Sequence, residues 1–96
     1  MNKIAVVLVI LIVTCGCSSE ARKARHLERA GKFFENERYA EAVVEYMNVL
    51  RLDPTSSEAI RKLGMAHAAT GDLRASIPFT LKAAEMLPDD AALQME

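Results

Sequence analysis

An internal repeat is the sequence feature that most constrains this fold. Residues 23–56 align with residues 57–90 without a gap, and the alignment places Pro54 opposite Pro88. A fixed period of this kind, about 34 residues, is typical of proteins in which each unit buries its apolar surface against a neighbouring unit. The sequence therefore predicts two copies of one structural unit: unit one (23–56) and unit two (57–90).

Each unit has the pattern of two helices. After position 17 only five residues are Val or Ile, whereas Ala occurs 14 times, a composition that favours helices over strands. Apolar residues recur at spacings of three and four, which places one apolar stripe on each helix. The predicted stripes are Ala24, Leu27, Ala30, Phe33 and Phe34; Tyr39, Ala42, Val43, Tyr46, Val49 and Leu50; Ile60, Leu63, Gly64 and His67; and Leu73, Ile77, Leu81, Ala84 and Leu87.

Turn and capping residues separate these helices. Asn36 and Gly71 fall in the turns inside the units, where a left-handed backbone is easiest for Asn or Gly. Thr55-x-x-Glu58 has the form of a capping box and predicts the start of the third helix. Asp72 can cap the fourth helix in the same way.

Together these residues resemble two tetratricopeptide repeats. The resemblance implies an all-α fold, an α-solenoid of antiparallel helix pairs, in which small residues let the two helices of a pair approach closely. The small positions are Ala30, Ala42, Gly64 and Ser76. The other matching residues are Phe33, Tyr39, Glu41, Tyr46, Leu50, Asp53 and Pro54 in unit one, and Leu63, Ala66, Gly71, Asp72, Ala83 and Pro88 in unit two.

The chain departs from the repeat pattern at three positions. Arg29 stands where Leu is usual, and Thr80 stands where a large aromatic residue is usual, so we expect Phe79 to take over that packing role. Pro78 lies about six residues into the fourth helix, where proline removes a backbone hydrogen bond. We therefore predict a local break at Ile77–Pro78.

Residues 91–96 continue the register as the start of a third unit or of a capping helix, with Asp89-Asp90 as its cap. Repeat arrays usually need about three units and a polar end. The interpretation we favour is therefore that the chain is a piece of a longer array. The alternative is self-association through an exposed last helix pair.

Residues 1–22 resemble a bacterial lipoprotein leader and its attachment point. Lys3 precedes an unbroken apolar run from Ile4 to Val13, followed by small residues. The run is shorter than the roughly 18–20 residues of a membrane span, which disfavours an uncleaved anchor. The resemblance implies a signal peptide at 1–16, lipidation of Cys17, with Cys15 as the alternative, and a lipidated tether at 17–22. By the same resemblance, Ser18 favours the outer membrane and a domain that faces the periplasm or the extracytoplasmic surface.

Candidate catalytic and metal-binding residues are few. His67 occupies a normally packed position, which favours a core or partly buried ring over a ligand, and Glu41 and Glu45 are expected on an exposed helix face. No phosphate-binding loop or paired nucleophile is visible, so we expect no catalytic site, no metal and no cofactor. The formal net charge of −1 excludes a strongly basic nucleic-acid binder.

A cluster of basic residues follows the predicted anchor. It is compatible with attraction to anionic lipid headgroups, but an ordinary solvated helix face is the interpretation we favour. The cluster comprises Arg22, Lys23, Arg25, Arg29 and Lys32.

The repeat resemblance also implies a function and a binding surface. Such repeats hold other proteins in a groove that their first helices line, which suits a helix or an extended segment. The expected function is a lipid-anchored, non-catalytic interaction scaffold of the cell envelope; the alternative is the N-terminal docking piece of a longer envelope enzyme or export component. The groove residues implied by position are Leu27, Gly31, Phe34, Glu35, Arg61, Met65, Ala68 and Ala69.

Overall fold

The computed structural model describes the backbone of residues 2–86 and the side chains of residues 18–86. Over this part of the chain there are four helices and no strand: α1 (Asn2–Glu35), α2 (Tyr39–Leu52), α3 (Ser57–Ala69) and α4 (Leu73–Met86). The all-α prediction is confirmed. Leu87, Pro88, the Asp89-Asp90 cap and the predicted third-unit start at 91–96 lie outside the described residues.

The helices pack in chain order, α1 against α2, α2 against α3 and α3 against α4. The connections within each predicted unit are short, so each pair forms a helical hairpin. Residues 17–22, predicted as a tether, continue helix α1 into the first predicted helix of unit one. The core that joins the first three helices consists of Ala30, Ala42, Tyr46, Val49, Ala59 and Leu63, with Leu27, Phe33, Phe34, Val43, Leu50 and Phe79 packed around it.

Small residues mark the closest contacts between helices, as the sequence predicts. Ala30 and Ala42 are fully buried between α1 and α2. A Cβ atom built on Gly64 would lie 2.9 Å from Thr80 Oγ1 and 3.3 Å from the Thr80 amide nitrogen, too close for an ordinary contact. The Ser76 hydroxyl donates a 2.8 Å hydrogen bond to the Gly64 carbonyl, so α3 and α4 meet through backbone and short side chains.

The turn at Gly71 is confirmed, but the turn after α1 differs by one residue from the prediction. Gly71 has φ +83°, whereas in the first turn Glu37, and not Asn36, is left-handed, with φ +62°. The Asn36 amide still donates to the Lys32 carbonyl at 3.1 Å, so the helical hydrogen-bond pattern runs through Asn36. Glu37 and Gly71 are aligned with each other in the repeat register, and both turns close with the paired hydrogen bonds of a Schellman motif.

The cap of α3 is Ser56, which corrects the predicted capping box. The Ala59 amide donates to Ser56 Oγ at 3.3 Å, and α3 begins at Ser57. The Thr55 hydroxyl and amide instead donate to Asp53 Oδ1 at 2.7 Å and 3.1 Å, because that carboxylate lies two residues away in the same turn. The prediction for α4 is confirmed, since the Ala75 amide donates to Asp72 Oδ1 at 3.2 Å.

Helix α4 continues through Pro78, so the predicted break at Ile77–Pro78 is wrong. Pro78 is exposed, and the helix tolerates the loss of the one backbone hydrogen bond that proline cannot donate. Phe79 takes the aromatic packing role as expected, and its ring stacks on His67 with 5.8 Å between the ring centres.

The apolar stripe predicted for α4 faces outward in the described structure. Leu73, Ile77 and Leu81 are 63%, 57% and 61% exposed. Helix α4 contacts α3 with Ser76 and Phe79 instead, because the short side chain of Ser76 permits the close approach to Gly64. Ala24, placed on the α1 stripe by its spacing, is also exposed.

Candidate binding face between α1 and α3

The predicted groove residues lie on α1 and α3, two helices that both pack against α2. Their exposure differs between the two helices. Leu27, Gly31 and Phe34 of α1 are partly buried, whereas Glu35 of α1 and Arg61, Met65, Ala68 and Ala69 of α3 are exposed. We call this set, together with Lys62 and Glu58, the α1–α3 face.

Phe34 of α1 lies close to side chains of both α2 and α3. Its ring meets the Tyr39 ring edge to face at 5.3 Å, and Lys62 Nζ lies 4.3 Å from the Phe34 ring centre. A cation at this distance is attracted by the electron-rich face of the ring. The sequence did not predict this contact of Lys62, because Lys62 and Phe34 belong to different predicted units and no local pattern relates them.

Tyr46 of α2 lies beneath this face and is 1% exposed. Burial raises the pKa of its phenol; the carboxylates of Glu58 and Glu35 act in the same direction, and Arg61 opposes them. Charges from both α1 and α3 therefore act on one buried phenol, which remains protonated at neutral pH because the ordinary pKa is already 10.0. The α1–α3 face thus combines apolar surface with charges of both signs.

A second polar cluster joins α1 to α2. His26 Nδ1 lies 2.9 Å from Glu45 Oε2, and Arg29 Nη1 lies 3.9 Å from the same oxygen. The Glu45 side chain is only 12% exposed, so its predicted position on an exposed face is wrong. Glu41, by contrast, is paired with Arg38 near the surface. The contacts of Glu45 therefore join α1 to α2, whereas the Glu41–Arg38 pair lies at the N-terminal end of α2.

The basic cluster predicted after the anchor is divided by the structure. Lys23 Nζ contacts Asp53 Oδ2 at 3.1 Å and Glu20 Oε2 at 3.4 Å, which ties α1 to the turn between α2 and α3. Hydrogen bonds from Thr55 and from Lys23 lower the pKa of Asp53, and the bond to Asp53 raises the pKa of Lys23. The other members of the cluster are exposed: Arg22, Arg25, Arg29 and Lys32.

The described part of the chain has no cluster of metal ligands: its His, Cys, Asp and Glu side chains form no group of three that could hold a metal ion. None of its helices combines the length and the apolar character needed to cross a membrane.

The sequence was compared with protein-family models, with curated proteins and with solved structures, and no match was found in any of the three.

Proposed function

We propose that this protein is a lipid-anchored tetratricopeptide-repeat scaffold of the bacterial cell envelope that binds a protein segment and catalyses no reaction. The repeat assignment is supported by equivalent features at aligned positions of the two units. Glu37 and Gly71 hold the two left-handed turn positions, and the aligned small residues Ala42 and Ser76 are both buried at helix contacts. A sequence period that recurs as a structural period supports two copies of one unit.

The observation that carries the binding function is the exposed, mixed surface of the α1–α3 face. Met65 is 45% exposed, and Ala68 and Ala69 lie near it on α3 without bulky side chains. Lys62, Arg61 and Glu58 belong to the same helix and add charges of both signs. A helix or an extended segment with apolar side chains and flanking charges would fit such a surface.

The proposed anchor is a lipid on Cys17, with Cys15 as the alternative attachment point. Acyl chains contribute about 0.8 kcal/mol per buried methylene, and two or more chains give stable anchoring. Ser18 favours the outer membrane by resemblance to lipoprotein sorting signals. Since α1 runs without interruption from Asn2 to Glu35, the lipid would be joined to the binding face through a helix.

The anchor is tested by metabolic labelling with an alkyne fatty acid. Cys17→Ala is expected to abolish labelling, whereas the matched control Cys15→Ala is expected to retain it. Unchanged labelling of Cys17→Ala would contradict the assignment, and loss only in Cys15→Ala would move the anchor to Cys15.

The binding face is tested by comparing proteins that copurify from envelopes with variants of the tagged chain. Met65→Glu places a charge in the apolar patch and is expected to lose a bound protein. Val44→Glu is the matched control, because Val44 is 59% exposed on α2, outside the α1–α3 face. Equal recovery of every copurifying protein with both variants would contradict the proposal.

A further inference from the structure

The outer side of α4 carries an apolar surface that no described residue covers. Leu73, Ile77 and Leu81 follow one another at every fourth position, with Ala84 beside them, and we call these four residues the α4 stripe. Their counterparts in unit one include Val43, which is partly buried against the core. The stripe therefore has the residue types of an interior surface.

Two charges flank the α4 stripe at opposite ends of the helix. Arg74 lies in the first turn and Glu85 in the last, separated by about three turns. Both are exposed, and Glu85 has only a loose contact with Lys82 at 3.9 Å. At the equivalent positions of α2, which α3 covers, the residues are Ala40 and Arg51 and cannot form such a pair.

This arrangement is complementary to itself. If two α4 helices pack antiparallel about a two-fold axis near Phe79, Ile77 lies beside Leu81 of the second copy. The same operation brings Arg74 close to Glu85 of the second copy, and it does so twice because a two-fold interface repeats every contact.

We propose that the α4 stripe is a self-association surface that pairs two copies of this chain through antiparallel α4 helices. Four side chains offer less surface than the roughly 800 Å² per partner that a stable dimer buries in solution. The pair therefore depends on a raised local concentration, which rests on the proposed lipid anchor: confinement of two copies to one membrane makes a weak contact effective.

The test uses the full chain in its membrane, expressed as two copies with different epitope tags. Photoreactive p-benzoylphenylalanine at position 77 is expected to give an adduct that carries both tags. The same residue at position 82 is the matched control, because Lys82 is about as exposed but lies on another side of α4. Arg74→Glu alone is expected to lower the adduct yield about fivefold, and Arg74→Glu with Glu85→Arg to restore it.

Three results would overturn the pairing. They are an adduct at position 77 within a single chain, an adduct with a different protein only, and no adduct at all. Fatty-acid labelling of the same samples separates the two proposals. Intact labelling without a double-tagged adduct contradicts the pairing alone. A double-tagged adduct without labelling contradicts the anchor and its role in the pairing, but not the pairing itself.

Discussion

At the scale of single residues, the helical glycines Gly31 and Gly64 have opposite surroundings. A Cβ atom at Gly31 would meet nothing within 4 Å, whereas at Gly64 it would press on Thr80. We expect Gly31→Ala to raise the free energy of unfolding by about 0.5–1 kcal/mol through helix propensity. Gly64→Ala is expected to lower the free energy of unfolding by about 1 kcal/mol, because the overpacking against Thr80 costs more than the higher helix propensity of alanine contributes. Urea unfolding followed by circular dichroism measures both, and equal effects would contradict the close α3–α4 contact.

The left-handed turn after α1 gives a second prediction at this scale. Glu37 has φ +62°, a conformation that costs a side-chain-bearing residue roughly 1 kcal/mol relative to glycine. Glu37→Gly is therefore expected to raise the thermal midpoint, whereas the control Asn36→Gly is expected to lower it. The opposite order would place the left-handed residue at Asn36.

The pKa of Asp53 makes a third prediction. Its folded pKa lies below the ordinary value of 3.8, so its ionised form stabilises the fold above about pH 4. This contribution is lost as the pH falls through the folded pKa. Asp53→Asn is expected to be less stable than the natural chain at pH 7, and the difference is expected to shrink in acid. A difference that stays constant from pH 7 to pH 2 would contradict a role for the carboxylate charge.

In the turn after α1, residue type was a poorer guide than the repeat alignment. Residue type favoured Asn36 as the left-handed residue, whereas the alignment pairs Glu37 with Gly71, and these two residues have the same turn geometry. The sequence pattern could not predict whether Thr55 or Ser56 caps α3. Ser56 is the cap because the Thr55 hydroxyl donates its hydrogen bond to the nearby Asp53 carboxylate.

At the scale of elements, α4 shows why spacing alone does not orient a helix. Its most apolar side carries Ile77, but the side that packs carries Ser76, whose hydroxyl bonds to the Gly64 carbonyl. Periodicity selects the more hydrophobic side, whereas packing selects the side that allows close approach. Whether a stripe is covered depends on a neighbouring element, and α4 has none on that side within the described residues.

This orientation of α4 predicts that changing the polar residue Ser76 destabilises the fold more than changing the apolar residue Ile77. Ser76→Leu is expected to lower the free energy of unfolding by about 1–3 kcal/mol, because the larger side chain cannot fit against Gly64. Ile77→Gln is expected to change it by less than about 0.5 kcal/mol in the monomer, since Ile77 is exposed. Chemical unfolding of the two variants compares them directly, and a larger loss for Ile77→Gln would reverse the assigned faces.

At the scale of the whole molecule, the repeating sequence folds into four successive helices, each of which packs against the next. The sequence predicted the all-α class and the order of the four described helices, because the apolar spacing and the turn residues both indicated where helices begin and end. The α1–α3 face was only partly predictable. Its helices and most of its residues are implied by the repeat resemblance, whereas the contact of Lys62 with Phe34 and the burial of Tyr46 depend on the folded structure.

The most direct test of the binding function is site-specific photocrosslinking of the full chain in intact membranes. We expect p-benzoylphenylalanine at position 65, on the α1–α3 face, to give one discrete adduct with another protein. The same residue at position 44 is expected to give none, although Val44 is at least as exposed as Met65. The same adduct from both positions, or none from position 65, would contradict a scaffold that binds its partner through the α1–α3 face.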